Sequence, residues 1–178
     1  MKKLISSFAI ILSLTIPTIA VAHDHDSDRH EARYDIQFLD TMIEHHRQGI
    51  EMFKLAVQKS HSKKVKSKAQ TMLDEQQKDI PKLQSLRNKI QSNAQESVNM
   101  DLPGMENMDM NELSSKSGKD FDEEFLKMTI KHHEGAIKMS EDALNKAQNK
   151  DVRNKAKMTI DKQTKEIAEL KKMLEKVK

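Results

Sequence analysis

Apolar residues return every three to four positions along two long stretches of this 178-residue chain, the spacing of helices with one buried face. Leu39, Ile43, His46, Ile50 and Phe53 form one stripe, and Leu126, Ile130, His133, Ile137 and Leu144 form another. The pattern predicts helices over roughly 31–60, 63–92, 120–148 and 151–176. Val, Ile and Thr nowhere alternate with polar residues as a strand requires, and only four glycines and three prolines interrupt the chain. Short polar joints, Ser60-His61-Ser62 and Gln148-Asn149-Lys150, turn each pair of helices back on itself. Two such hairpins, burying each other's stripes, make an all-α antiparallel four-helix bundle. Asp120 with Glu123 reads as a capping box opening the third long helix, and Pro81 is expected to kink or split the second.

The two hairpins are copies of one unit. At one constant offset, Asp35, Phe38, Leu39, Ile43, His45-His46, Ile50 and Met52 coincide with Asp122, Phe125, Leu126, Ile130, His132-His133, Ile137 and Met139. Weaker matches continue through Gln76/Gln163, Ile80/Ile167 and Leu83/Leu170. The copies therefore duplicate a His/Met cluster, and imidazole with thioether is a ligand set that suits copper. The helical phase turns His46 and His133 inward and leaves His45 and His132 on the flank of each stripe. Met42 and Met52 lie within one and two turns of His45, and Met128 and Met139 within one and two turns of His132. Structural histidines and packing methionines are the bland alternative.

Two regions fall outside the bundle. Residues 93–119 form a linker in which Met100, Met105, Met108 and Met110 sit among Asp, Glu, Asn, Pro and Gly. These methionines have little core to fill and are expected to make a flexible thioether site for Cu(I) or Ag(I), with a helix laying its Met face on the bundle as the competing arrangement. The second region, 23–32, is a His/Asp-rich tail. With cleavage after Ala22, the free amine of His23, two backbone amides and the imidazole of His25 could hold Cu(II) in a square plane.

Upstream, Lys2-Lys3, an apolar run from Leu4 to Ile16 and Ala20-Val21-Ala22 read as a cleaved secretory leader over 1–22. Export to the periplasm is the expected result, with no membrane anchor after cleavage. The organisation is then 1–22 leader, 23–32 tail, 33–92 first hairpin, 93–119 linker and 120–178 second hairpin, with 33–178 as one bundle domain. The leader carries two lysines and no acid, so a formal charge of +3 overstates the basic character of the mature chain. Basic and acidic residues are interspersed, and five Phe and one Tyr are the only aromatics, which argues against nucleic acid as a partner. With no cysteine and twelve methionines, soft sulfur is supplied by thioether alone. The chain lacks Glu-x-x-His, a Gly-rich phosphate loop, Gly-x-Ser-x-Gly and His-Glu-x-x-His, so it reads as a non-enzyme.

The Phe-Leu…Ile-x-His-His-x-x-x-Ile-x-Met stretch, Gln76/Gln163 with Ile80/Ile167, the leader and the duplication resemble the CopM-like family of bacterial domain-of-unknown-function proteins, over nearly all of 33–177. The resemblance implies a ferritin-like bundle that binds copper through His and Met, at positions matching Met42, His45, His46, Met52, His132, His133 and Met139. The second copy departs from the motif at Thr129, with Met128 one position away. Together these readings point to an exported copper-binding protein, monomeric or weakly dimeric. It would sequester Cu(I), with Ag(I) as mimic, or pass it to envelope copper-transport proteins. The alternatives are a helical interaction module and an oxidoreductase using copper or iron.

Overall fold

The structure, a computed structural model, describes the backbone of residues 25–93 and 95–177, with side chains in the first helix from residue 33 onward. The leader and His23 lie outside the described residues. Among the described residues five helices follow in order: α1 (His25–Lys59), α2 (Lys63–Ile90), α3 (Met110–Ser115), α4 (Gly118–Lys146) and α5 (Lys150–Val177). The four long ones are the predicted bundle. α1 packs on α2 and α4 on α5 as hairpins, α1 and α4 join the hairpins, and α2 and α5 meet at only a few points.

The duplicated aspartates show how the copies are joined. Asp35, near the start of the apolar part of α1, accepts the backbone N–H groups of Gln148 and Asn149 at 3.2 and 2.9 Å, in the α4–α5 joint. Asp122, near the start of α4, accepts the N–H of Ser62 at 3.1 Å, in the α1–α2 joint. Each copy thus satisfies exposed donors at the other copy's turn, and α1 and α4 must run antiparallel. Side-chain caps complete both turns: Ser62 Oγ accepts from Val65 N, and Asn149 Oδ1 accepts from Asp151 N at 2.8 Å.

The core has two parts. One gathers Phe53, Phe121, Phe125 and Leu126 with Met52 and Met72, its rings meeting edge to face (Phe53–Phe125, 6.2 Å) and in parallel (Phe121–Phe125, 6.5 Å). The other gathers Phe38, Leu39, Met42, Leu83 and Met139. Full burial of one such side chain contributes roughly 1.5–3 kcal/mol. On α1 and α4 the histidine pairs occupy the level between the two parts.

Several expectations are corrected. α1 begins at His25, because no breaker separates the acidic 24–32 stretch from the helix and acids favour its N-terminal end. α2 is not split, since Pro81 stands inside one helix; Pro81 is exposed, so water can hydrate the carbonyl left without its N–H. α4 starts from Ser117 without a side-chain cap, so Asp120 and Glu123 form no capping box. Leu144, expected in the core, is 39% exposed.

The linker is a strap rather than a free loop. Asp40 is buried, pairs with Arg87 and accepts from Ser97 N at 2.9 Å. Thr41 Oγ1 accepts from Asn99 N at 2.9 Å. At the other end the Lys59 ammonium donates to the carbonyls of Ser114 and Lys116. Between these anchors Gly104 crosses Gly135 of α4 so closely that a Cβ on either would lie within 2.3 Å of the other's carbonyl oxygen.

Candidate metal centre

Antiparallel packing of α1 on α4 brings the two copies' histidines together. The rings of His45 and His132 stack at 3.8 Å between centroids and 9° between planes. Glycines make the space: a Cβ at Gly49 of α1 would lie 2.5 Å from His132 Nε2, and a Cβ at Gly135 of α4 would lie 3.5 Å from His45 Nε2. The edge of His132 also meets Phe53 at 6.1 Å. Gln76 of α2 is buried and places its amide nitrogen 3.3 Å from His132 Nε2, which holds that ring in orientation. His45 Nδ1 is buried and has no hydrogen-bond partner, an uncommon state for a polar atom in a protein interior.

His45 and His132 are therefore not flanking residues: they are 2% and 5% exposed. All four histidines of the pairs are buried, because α4 closes over the side of α1 that a single-helix projection leaves open. Burial pushes the His45 pKa down to about 3, with the nearby His46 and His133 adding to the effect. Burial likewise holds His132 well below the ordinary histidine value, reinforced by His45 and His133. Both are neutral imidazoles near pH 7, the form that donates a lone pair to a metal.

These two rings open on a cavity of about 210 Å³ beneath the strap. Met128 of α4 and Met108 of the strap line it with them, and Glu106, Asp109, Glu112 and Glu124 are also in its walls. The Glu106–Lys131 ion pair, 2.7 Å, ties strap to α4 beside the cavity. Two imidazoles and two thioethers around one space form a soft donor set. Among the described residues no three His, Asp or Glu side chains converge as a metal site, so any ion held here would draw on the thioethers.

His46 and His133 face the other side of the α1–α4 pair, toward α2 and α5. His46 Nε2 is 3.1 Å from Asp79 Oδ2, and His133 Nε2 is 2.9 Å from Glu166 Oε2. Burial lowers the His46 pKa against the opposing pull of Asp79. Burial would raise the Asp79 and Glu166 carboxyls, but their histidines and Lys155 or Lys162 outweigh it and hold both below the usual carboxylate range. Asp79 and Glu166 escaped notice in the sequence, although they stand at the same repeat offset as the histidines they hold.

The remaining candidates are dispersed. Met42, Met52 and Met139 are fully buried in the core. The linker methionines do not gather as a group of their own: Met100 is 45% exposed, Met105 is buried beside Leu102 in one core part, and Met110 opens α3 and packs with Met108 against the other. Met105, Met108 and Met110 do have a core to fill, since Asp40, Thr41 and Lys59 of α1 take up backbone groups of the strap and these three side chains turn inward. His25 is the first residue of α1.

The buried histidines make acid stability a direct test of this geometry. An unfolded histidine takes up its proton near pH 6.5, whereas folded His45 does so near pH 3. Below pH 6.5 the unfolded chain binds the extra proton, so stability falls with pH until about pH 3. At pH 5 the loss is about 2 kcal/mol for His45 alone. Melting curves of metal-free protein should fall steeply from pH 7 to 5, and His45→Gln should flatten that slope. An unchanged slope would count against the buried neutral ring.

Residues 35–174 match the family described as a domain of unknown function, DUF305. Among solved structures, a DUF305 protein from Streptomyces coelicolor is similar with a TM-score of 0.70 at 19% identity, over 83% of this chain and 94% of that one. CopM in its Cu(I)-bound form has a TM-score of 0.67 at 22% identity, over 80% of this chain and 96% of that one. Its Cu(II)-bound form reaches 0.69 at 23% identity, over the same shares of both chains. At these identities the likeness carries the fold: an all-α bundle. No curated protein matches the sequence.

Proposed function

We propose that this chain, which belongs to the DUF305 family, is an exported copper-binding protein. In this reading it sequesters Cu(I), for which Ag(I) is a mimic, or hands it to envelope copper-transport proteins, and so protects the envelope. The observation that carries the proposal is the cavity in which His45 and His132, one from each copy, meet Met108 and Met128. The copper ion is cargo, and no turnover is required of the protein.

The donor chemistry supports a soft monovalent ion. Cu(I) accepts imidazole and thioether and needs few ligands, whereas Zn(II) prefers thiolate, imidazole or carboxylate. Neutral His45 and His132 need no deprotonation before they bind. CopM, a protein of similar fold, has been crystallised with Cu(I), Cu(II) and Ag, which agrees with this choice of cargo. No helix of the described residues is long and apolar enough to cross a membrane. The leader read over 1–22 would deliver the rest of the chain to the periplasm.

Competition with a chromogenic Cu(I) chelator tests the proposal. The purified protein should retain at least one Cu(I), and Met108→Leu with Met128→Leu should weaken that ion at least tenfold while preserving the fold, since Leu replaces Met at nearly constant volume. Zn(II) should bind far more weakly. Equal retention of Zn(II) and Cu(I), or no response to loss of both sulfurs, would defeat the thioether argument.

A further inference from the structure

Interspersed along the chain, the charges separate in the fold. α2 and α5 together carry fifteen lysines and two arginines against eight Asp and Glu. The other layer, counted over α1 from residue 33, residues 91–117 and α4, carries ten Lys and Arg against sixteen acids. α2 and α5 run antiparallel, tied by Lys68–Glu169, Lys162–Glu75 and Lys155–Asp79. Those bridges, with Lys171–Glu134, occupy only four of the fifteen lysines. The other eleven are all exposed and form no ion pair among the described residues. Lys78, Lys82, Lys162 and Lys165 line the groove around Met158, an apolar side chain that is 67% exposed.

We propose that the α2–α5 face is a docking surface for an anionic lipid bilayer, held by its lysines, with Met158 entering the headgroup layer. Each helix has 28 residues and is about 42 Å long, so the charge is spread over a broad face rather than gathered at a pocket. Protein interfaces favour Arg and aromatic residues and are depleted in lysine. α2 and α5 have fifteen Lys to two Arg and no Phe, Tyr or Trp. That lack of rings also leaves nucleic-acid bases nothing to stack on.

A lysine ammonium is a strongly hydrated point charge on a flexible stem. Fluid headgroups move to meet it, so the stem keeps its rotamer freedom. Each lysine held near an anionic leaflet strengthens binding roughly fivefold, and an exposed apolar side chain among such lysines gains by leaving water for the headgroup boundary. No helix of the described residues crosses a membrane, so docking is peripheral. The strap and its cavity, which belong to the α1–α4 layer, then face away from the bilayer.

Docking requires no metal, so its test uses metal-free protein and leaves the copper reading untouched. The exported form is used, because the apolar run of the leader read over 1–22 would enter a bilayer by itself. At low salt the protein should sediment with phosphatidylglycerol–phosphatidylcholine vesicles and stay in solution with pure phosphatidylcholine. It should be released at about 1 M NaCl, where charges are screened beyond about 3 Å. Lys78→Gln/Lys82→Gln/Lys165→Gln should weaken vesicle binding about a hundredfold, three lysines at roughly fivefold each. Lys54→Gln/Lys127→Gln/Lys138→Gln removes the same charge from α1 and α4 and should weaken binding no more than about threefold, since these groups stand beyond a screening length from the bilayer. No binding to anionic vesicles, equal binding to both vesicle types, or equal losses in the two triple variants would overturn the proposal. So would a first triple variant that keeps vesicle binding but loses duplex DNA, or one that dissolves a dimer seen by ultracentrifugation without vesicles. Those results would assign the face to nucleic acid or to the acidic layer of a second copy.

Discussion

Gly104→Ala should lower the melting temperature by roughly 6–12 °C, the shift expected in a chain of this size from a destabilisation of about 3 kcal/mol. Two causes combine. Gly104 has φ +90°, which L side chains resist, and a Cβ there would stand 2.0 Å from the Gly135 carbonyl oxygen. Backbone cannot step aside as a flexible side chain can, so the strap must lift and carry Met108 away from His45 and His132. Gly118→Ala is the control, since that residue has φ +58° but nothing within 4 Å of an added Cβ. It should cost only the conformational part, about 1–2 kcal/mol. Gly135→Ala sharpens the comparison: in a helix interior alanine normally gains up to about 1 kcal/mol, yet here its Cβ would lie 2.3 Å from the Gly104 carbonyl oxygen. Gly135→Ala should therefore destabilise and also reduce Cu(I) retention. Equal melting temperatures for Gly104→Ala and Gly118→Ala would mean that the strap does not press on α4.

In metal-free protein His45→Ala and His132→Ala should each cost about 2–4 kcal/mol, as truncations of side chains packed at the centre of a core do. Each removes one half of the stack at 3.8 Å. His132→Ala costs more, because it also leaves the buried Gln76 amide without its partner, a loss of about 1–3 kcal/mol. His46→Ala should cost less than either, since Asp79 keeps Lys155. Urea unfolding at pH 7 measures all three. If His46→Ala proves the most damaging and His45→Ala is silent, the inward and flanking faces are as a lone-helix projection draws them and the stacked centre is wrong.

Much of the architecture is legible in the chain. A repeat of apolar residues every three to four positions fixes which residues are helical, short polar joints fix antiparallel hairpins, and the coincidence of Asp35 with Asp122 and of His45-His46 with His132-His133 fixes two copies of one unit. These are local properties: period, breaker and spacing are set by a residue and its near neighbours. The donor types are equally plain, since a chain with no cysteine and twelve methionines leaves His and Met as its soft ligands.

What meets what belongs to the tertiary structure. A projection of α1 alone puts His45 on the edge of its stripe, and only α4, packed antiparallel with Gly49 and Gly135 between, makes that edge the centre. The carboxylates Asp79 and Glu166 lie a whole helix away in sequence from the histidines they hold, so no local pattern joins them. The linker reads as polar because its charged, amide and hydroxyl residues together outnumber its apolar ones, but the buried Asp40 and Thr41 side chains take up the backbone donors of Ser97 and Asn99. That frees Met105 to fill the core and brings Met108 to the stacked rings. Helical phase along one element is a property of its own residues; the partners of a side chain are a property of every element packed around it.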